Sequence, residues 1–369
     1  MQNREYIEKF LETVVEDISI SETMSEKAKD SYNAVGKWLG DGDIPFEIKI
    51  VPQGSFSLGT TVKPITEKDD YDIDLVCLLD NGSSLSNHDI KNIVGKRLKE
   101  NTTYREKLEK EGKRCWTLNY AEFHMDILPC VPEQVVYSEE TQMTDIHLTH
   151  KNAEGSYEKR VSNPAGYQRW FENQMTEILT EAKRAYSIRA SADIKKVPTY
   201  KVKTPLQKVI QLLKRHRDKM FENKDDAPIS IIITTLATQA YRGEKTLLDA
   251  LINIIGCWTD GIQKDATGNI YWIPNPVQKS ENFADKWNEN PKKASNFYKW
   301  HDQLQKDLAI LLDKNLLIAE ETMKRALGEH PTQAGLRAVY ATRPTSVVEN
   351  AVPHIVPITT PNRPFGDEI

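Results

Sequence analysis

The chain runs to 369 residues, 39% hydrophobic and 28% charged, enough to bury a sizeable core in two domains or one domain with two lobes. Its net charge of −5 argues against a protein that grips duplex nucleic acid, because Lys and Arg on phosphates supply most of that affinity. No apolar run reaches the roughly 18 residues that span a bilayer, and Met1 to Tyr6 holds no apolar signal core, so a cytoplasmic protein without membrane contact is expected.

Residues 4–18 set Ile7, Phe10, Leu11, Val14, Val15 and Ile18 at helical spacing, and a second helix runs from its cap Ser21 to Leu39, closed by Gly40 and Gly42. The period then falls to two. Phe46 to Val51 alternates as a half-buried strand, and Tyr71 to Leu79 is a second strand, apolar at its far end. Residues 88–110 read as a charged helix, followed by strands Arg114–Asn119 and Glu122–Leu128 around a turn at Tyr120-Ala121. The stretch Pro132 to Val161 is mixed in pattern. Asn163-Pro164 opens a helix with Tyr167, Trp170 and Phe171 on its apolar side, and the polar stretch Ala190 to Lys203 marks a lobe boundary. From Pro205 to about residue 340 the chain is mainly helical; Arg343 to Ile369 carries five prolines and no periodicity.

The order is helices, a small mixed sheet, then a helical half, which is an α+β fold. We divide it as residues 1–200, N-terminal helices and catalytic core; 201–342, a helical lobe closing the pocket; and 343–369, a proline-rich tail. The cysteines Cys77, Cys115, Cys130 and Cys257 form no CxxC pair and no Cys/His cluster, which argues against a zinc site and a disulfide framework.

The informative acids are Asp72 and Asp74. In a strand, residues i and i+2 face the same way, so both carboxylates project together while Ile73 and Leu75 turn to the opposite face. Two such acids repel unless one keeps its proton or a cation lies between them; magnesium takes oxygen ligands and commonly uses one or two carboxylates plus substrate phosphates. Asp126 is a third, flanked by Met125 and Ile127 in an alternating strand, an unlikely place for an acid without compensation. A D-x-D alone often marks a solvated strand face. Its order after Gly54-Ser55 and before Asp126 is what points to a two-metal site. Gly54 lets backbone N–H groups approach phosphates and Ser55 adds a hydroxyl donor; without the aspartates the pair would be an ordinary turn. The one dense basic stretch, Lys214 to Lys219, reads as a solvated face.

With those residues in view, the sequence resembles the nucleotidyltransferase superfamily of polymerase beta and oligoadenylate synthase. More narrowly it resembles the bacterial cyclic-oligonucleotide synthases of CBASS anti-phage defence, the CD-NTases, relatives of cyclic GMP-AMP synthase. Gln53-Gly54-Ser55-Phe56, Tyr71-Asp72-Ile73-Asp74-Leu75-Val76 and His124-Met125-Asp126-Ile127-Leu128-Pro129 carry the resemblance, which runs from about residue 50 to 300. Pro205 to His216 resembles the family's helix whose lysine contacts the triphosphate, which implies that role for Lys214. Ser230, opening the next helix, matches a polar nucleotide contact, and a helix cap is an equal reading.

The resemblance implies a polymerase-beta-like core and a magnesium-dependent enzyme with two ions, manganese being able to substitute. It implies nucleoside triphosphates as substrates, ATP among them with GTP or a pyrimidine nucleotide as further candidates, and a cyclic di- or trinucleotide product read by a separate effector. Nothing resembles the Cys/His zinc insertion of animal cyclic GMP-AMP synthase, so no duplex DNA requirement is expected. Linear oligonucleotide synthesis, transfer to an RNA end, protein or small molecule, and an inactive nucleotide-binding module stay open as alternatives.

Overall fold

The computed structural model describes residues 2–42, 45–66, 71–133, 145–190 and 202–341. Two helices come first, α1 (Gln2–Ile18) and α2 (Glu22–Gly40), the second capped by Ser21, whose side chain accepts from the Met24 N–H. The strand β1 (Glu47–Gln53) leads into the one-turn helix α3 (Gly54–Ser57) and on to β2 (Tyr71–Asp80). Then come α4 (Asn87–Glu100), α5 (Thr102–Lys107), β3 (Trp116–Asn119), β4 (Phe123–Pro132) and a hairpin of β5 (Ile146–Lys151) and β6 (Tyr157–Ser162). The rest is mainly helical: α6 (Pro164–Asn173), α7 (Thr176–Ala190), α8 (Pro205–Met220), α9 (Ser230–Ala240) and α10 (Leu247–Cys257), then a two-stranded ribbon, β7 (Gln263–Lys264) and β8 (Tyr271–Trp272). The described residues close with α11 (Asp285–Glu289), α12 (Pro291–Asp313), α13 (Leu316–Leu327) and α14 (Glu329–Ala341). This is the expected α+β architecture.

The main sheet runs β1-β2-β4-β5-β6, with only the β2/β4 pair parallel. The far edge of β4 is shared: β3 pairs with residues 124–127 and β5 with residues 130–132. The alternation read from the sequence decides which face is dry. Ile73, Leu75, Cys77, Met125 and Ile127 are fully buried beneath Val35 and Leu39 of α2 and Ile90, Val94 and Leu98 of α4, each large aliphatic contributing about 1.5–3 kcal/mol on leaving water. The opposite face is left to the acids.

A second, larger core joins α1 to α6, α7 and the helices from α8 onward. Gly335 of α14 sits where an added Cβ would overlap the ring of Phe10, so the first and last described helices pack closely.

The charged helix expected over 88–110 is two helices. Asn101 leaves helical geometry (ψ 122°) and caps α5 by accepting from the Tyr104 N–H. The described end of the mixed stretch, from residue 145 onward, forms the β5/β6 hairpin, turned at Gly155 with φ +87°; residues 134–144 lie outside the described residues. The basic stretch is no solvated face. Lys214, Arg215 and His216 are buried, and His216 accepts from the Trp300 indole N–H (3.0 Å) while facing Asp307 at 3.0 Å. Most of the polar stretch at 190–203 and the proline-rich 343–369 lie outside the described residues.

Candidate active site

Parallel pairing sets Asp74 directly beside Asp126, and Asp72 beside His124. Register partners in a parallel ladder face the same way, so all three acids share the face opposite the dry core. Asp72 is exposed; Asp74 and Asp126 are half-buried. Burial first, then the charges of Asp126 and Asp72, pushes the Asp74 carboxyl up to about 7, with Lys214 pulling the other way. Thr117, the β3 partner of Asp126, donates its hydroxyl to Asp126 Oδ1 at 2.6 Å and fixes that carboxyl.

Gly54 sits at the junction of β1 and α3 with φ +66°. A Cβ there would overlap Asp74 Oδ2. Glycine is thus required twice, by backbone conformation and by the carboxyl packed against it. The Ser55 hydroxyl bonds to that of Thr61 (3.2 Å), and the Thr60 N–H donates to the Ser55 carbonyl (2.9 Å), folding the following segment back on the turn.

That segment is held by α8. Thr204 and Gln207 cap the helix reciprocally, and its polar side reaches four carbonyls in succession. Gln207 donates to Leu58 O (2.9 Å), Gln211 to Thr61 O (2.6 Å), Lys214 to Thr60 O (3.2 Å) and Arg215 to Lys63 O (2.8 Å). Lys214 also reaches Thr60 Oγ1 at 3.2 Å. Burial, with the Arg217 charge adding, brings its ammonium down to about 7, while Asp218 and Asp74 favour the charged form. In this structure Lys214 therefore both faces the Asp74 charge and anchors the loop behind Ser55.

Ser230 is the first residue of α9, but the cap position is Ile229, which has no side-chain cap bond; the helix-cap reading is set aside. Its hydroxyl accepts from Arg217 Nη1 (2.9 Å), and Arg217 lies one turn beyond Lys214. The structure thus gathers Gly54, Ser55, Asp72, Asp74, Asp126 and Lys214 around one sheet face, with Ser230 joined through Arg217. Sequence reading missed Thr117, Gln207, Gln211 and Arg217. The spacing of 207, 211 and 214 is a helical polar stripe and was the available signal; Thr117 emerges only from strand register.

Among the described residues no three Asp, Glu, His or Cys side chains already close around a common point as metal ligands. The donor set nevertheless suits a hard divalent cation. It is all oxygen, it crowds three acids on one face, and its most enclosed member is driven toward its neutral form by burial and by the charges of the other two.

With this geometry in hand, comparisons with known proteins fit the resemblance. Residues 1–174 match the Second Messenger Oligonucleotide or Dinucleotide Synthetase domain. A c-di-GMP synthase of Roseivirga ehrenbergii is 35% identical over 311 residues, covering 82% of this chain and 78% of that protein. The cyclic dinucleotide synthase CdnG of Bradyrhizobium diazoefficiens is 25% identical over 296 residues, 74% of this chain and 68% of that one. The CdnG structure, in complex with GTP, superposes with a TM-score of 0.72 at 20% identity over 90% of this chain and 99% of that chain, a likeness of fold.

Proposed function

The chain belongs to the CD-NTases, a bacterial nucleotidyltransferase family, and from that premise we propose that it joins nucleoside triphosphates into a cyclic dinucleotide with release of pyrophosphate. Where the sequence alone favoured ATP, a relative named for c-di-GMP and a fold neighbour holding GTP turn the proposal to GTP as principal substrate. The observation that carries the reading is the Asp74–Asp126 register with Asp72 on the same face.

Asp72, Asp74 and Asp126 are the residues that would hold magnesium, two ions or manganese in their place. Bound there, the metal supplies positive charge that lowers the pKa of a ribose hydroxyl and steadies a leaving pyrophosphate. The chain's own groups bind and orient. Gly54 lets the turn close against Asp74 and point backbone N–H groups toward phosphate, Ser55 offers a hydroxyl, Lys214 adds a cation and fixes the loop, and Ser230 with Arg217 contacts the nucleotide. Residues 1–200 and 201–342 act as catalytic core and closing lobe. The setting we propose is cytoplasmic anti-phage signalling through an effector that reads the product, without duplex DNA. Among the described residues no helix is long and apolar enough to cross a membrane.

Incubation of the purified protein with each nucleoside triphosphate and magnesium, followed by phosphatase and mass analysis, tests this. GTP alone is expected to give a phosphatase-resistant cyclic product. Products trimmed by phosphatase throughout would establish linear synthesis, and no turnover with any nucleotide would leave a binding module.

A further inference from the structure

Adjacent residues of α8 serve different places. Lys214 reaches Thr60, near the aspartates; Arg215, about 100° further around the helix, reaches Lys63 and lines an open cleft of about 470 Å³. That size is ordinary for a small-molecule site. Asp17, Lys63, Glu122 and His330 supply its other charged and titratable groups, with Met24, Ile65 and Pro331 forming an apolar wall.

The acids of the cleft have direct partners: Asp17 lies 3.0 Å from His330, an ion pair only when that imidazole is protonated, and Glu122 pairs with Lys27 (2.7 Å). The cations have none among the described residues; burial disfavours the Arg215 charge, and Asp218 and Asp17 favour it without a direct ion pair. Lys63 donates to a neutral carbonyl, that of Asp17 (2.9 Å), and Arg215 to the neutral carbonyl of Lys63; neither forms an ion pair among the described residues. Arg215 is only 5% exposed, and its Nε is buried without a hydrogen-bond partner. A buried guanidinium is ordinarily held by a paired anion. Across the same cleft Glu122 Oε2 is also buried and unpartnered, an acceptor lacking a donor. Two residues lining the cleft, Arg215 and Glu122, thus each keep one buried polar atom without a partner, of opposite character, and a ligand offering both an anion and a donor would satisfy them once the side chains turn to it.

We propose that this cleft is a second ligand site, separate from the aspartates, for a small organic anion: a carboxylate or phosphate that also carries a hydrogen-bond donor, held by Arg215 and Lys63. Its occupancy is coupled to the phosphate loop. The Arg215 guanidinium that would turn to the ligand is the group now holding Lys63 O, and the same segment, Leu58 to Lys63, folds back on Ser55. A ligand there would loosen one of the four α8 fastenings and change nucleotide affinity.

The test is calorimetric titration of the full chain with citrate and with inorganic phosphate, in a buffer free of other carboxylates and of inorganic phosphate, with the nucleotide pocket saturated by a non-hydrolysable GTP analogue. We expect citrate, which carries carboxylates and a hydroxyl, to bind one-to-one, and Lys63→Gln and Arg215→Gln each to weaken it at least tenfold. Phosphate binding alone, lost in the same variants, supports the site with phosphate as the recognised group. Binding of neither probe, or binding unchanged in the variants, overturns the proposal. Should Arg215→Gln not fold, Lys63→Gln decides, because the half-buried Lys63 side chain lies at the cleft edge rather than in the core.

Discussion

Gly54 and Asp74 are packed so closely that a single methyl group on the glycine would overlap the aspartate carboxyl. The turn before α3 and the central acid of β2 therefore form one unit, although 20 positions separate them in the chain. Gly54→Ala is expected to fail on both counts. The φ of +66° costs about 1–2 kcal/mol for a residue with a Cβ, and Asp74 must move to relieve the overlap. Chemical denaturation should reveal a loss of that size or more, and turnover should be undetectable. An alanine variant with normal turnover would detach the loop from the acid.

Much of this was legible in the sequence, for a definite reason. Period-two alternation at Ile73, Leu75, Met125 and Ile127 says which face is dry, so the opposite face is where Asp72, Asp74 and Asp126 must lie. Pairing across space is not written in any local period. Nothing near Thr117 announces that β3 aligns it with Asp126, and Arg215 reads as one charge in a basic run until the fold encloses it. The break at Asn101 was missed because its flanks are both helical and polar.

Asp72→Asn, Asp74→Asn and Asp126→Asn should each abolish turnover while the chain stays folded. Asp74→Asn should also change how stability responds to pH. Its carboxyl is raised in the folded state, from 3.8 to about 7, so the fold is relatively favoured below the unfolded value and loses that advantage as pH rises through about 7. In metal-free buffer the amide should melt a few degrees higher than the parent at pH 8 and about equal to it at pH 4. Parallel melting curves across that range would mean Asp74 is not strained by its neighbours.

Lys214→Ala should raise the KM for triphosphate about tenfold or more, with a smaller fall in kcat, because a cation on the phosphates serves ground state and transition state alike. Its titration runs opposite to that of Asp74. The ammonium is depressed in the folded state from 10.5 to about 7, so its stabilising effect is present above the unfolded value and lost as pH falls through about 7. Lys214→Met keeps the stem and should remove that fall. A drop in kcat at constant KM would instead assign the lysine to the leaving group.

Thr117 touches the reaction only through Asp126. Its hydroxyl, 2.6 Å from Oδ1, orients that carboxyl across the β3/β4 pair. Outer partners of metal-binding side chains typically change metal affinity or activity by about 10–100-fold when removed. Thr117→Val keeps the β-branched shape that suits the strand and deletes only the donor, so folding should be little affected. We expect the magnesium concentration for half-maximal activity to rise by about tenfold, with the nucleotide KM at saturating magnesium nearly unchanged. Thr117→Ser, which restores the hydroxyl, should recover most of the loss. If valine and serine variants share the parent's magnesium dependence, the Thr117 bond is structural and Asp126 is oriented by its other contacts, Cys115 among them.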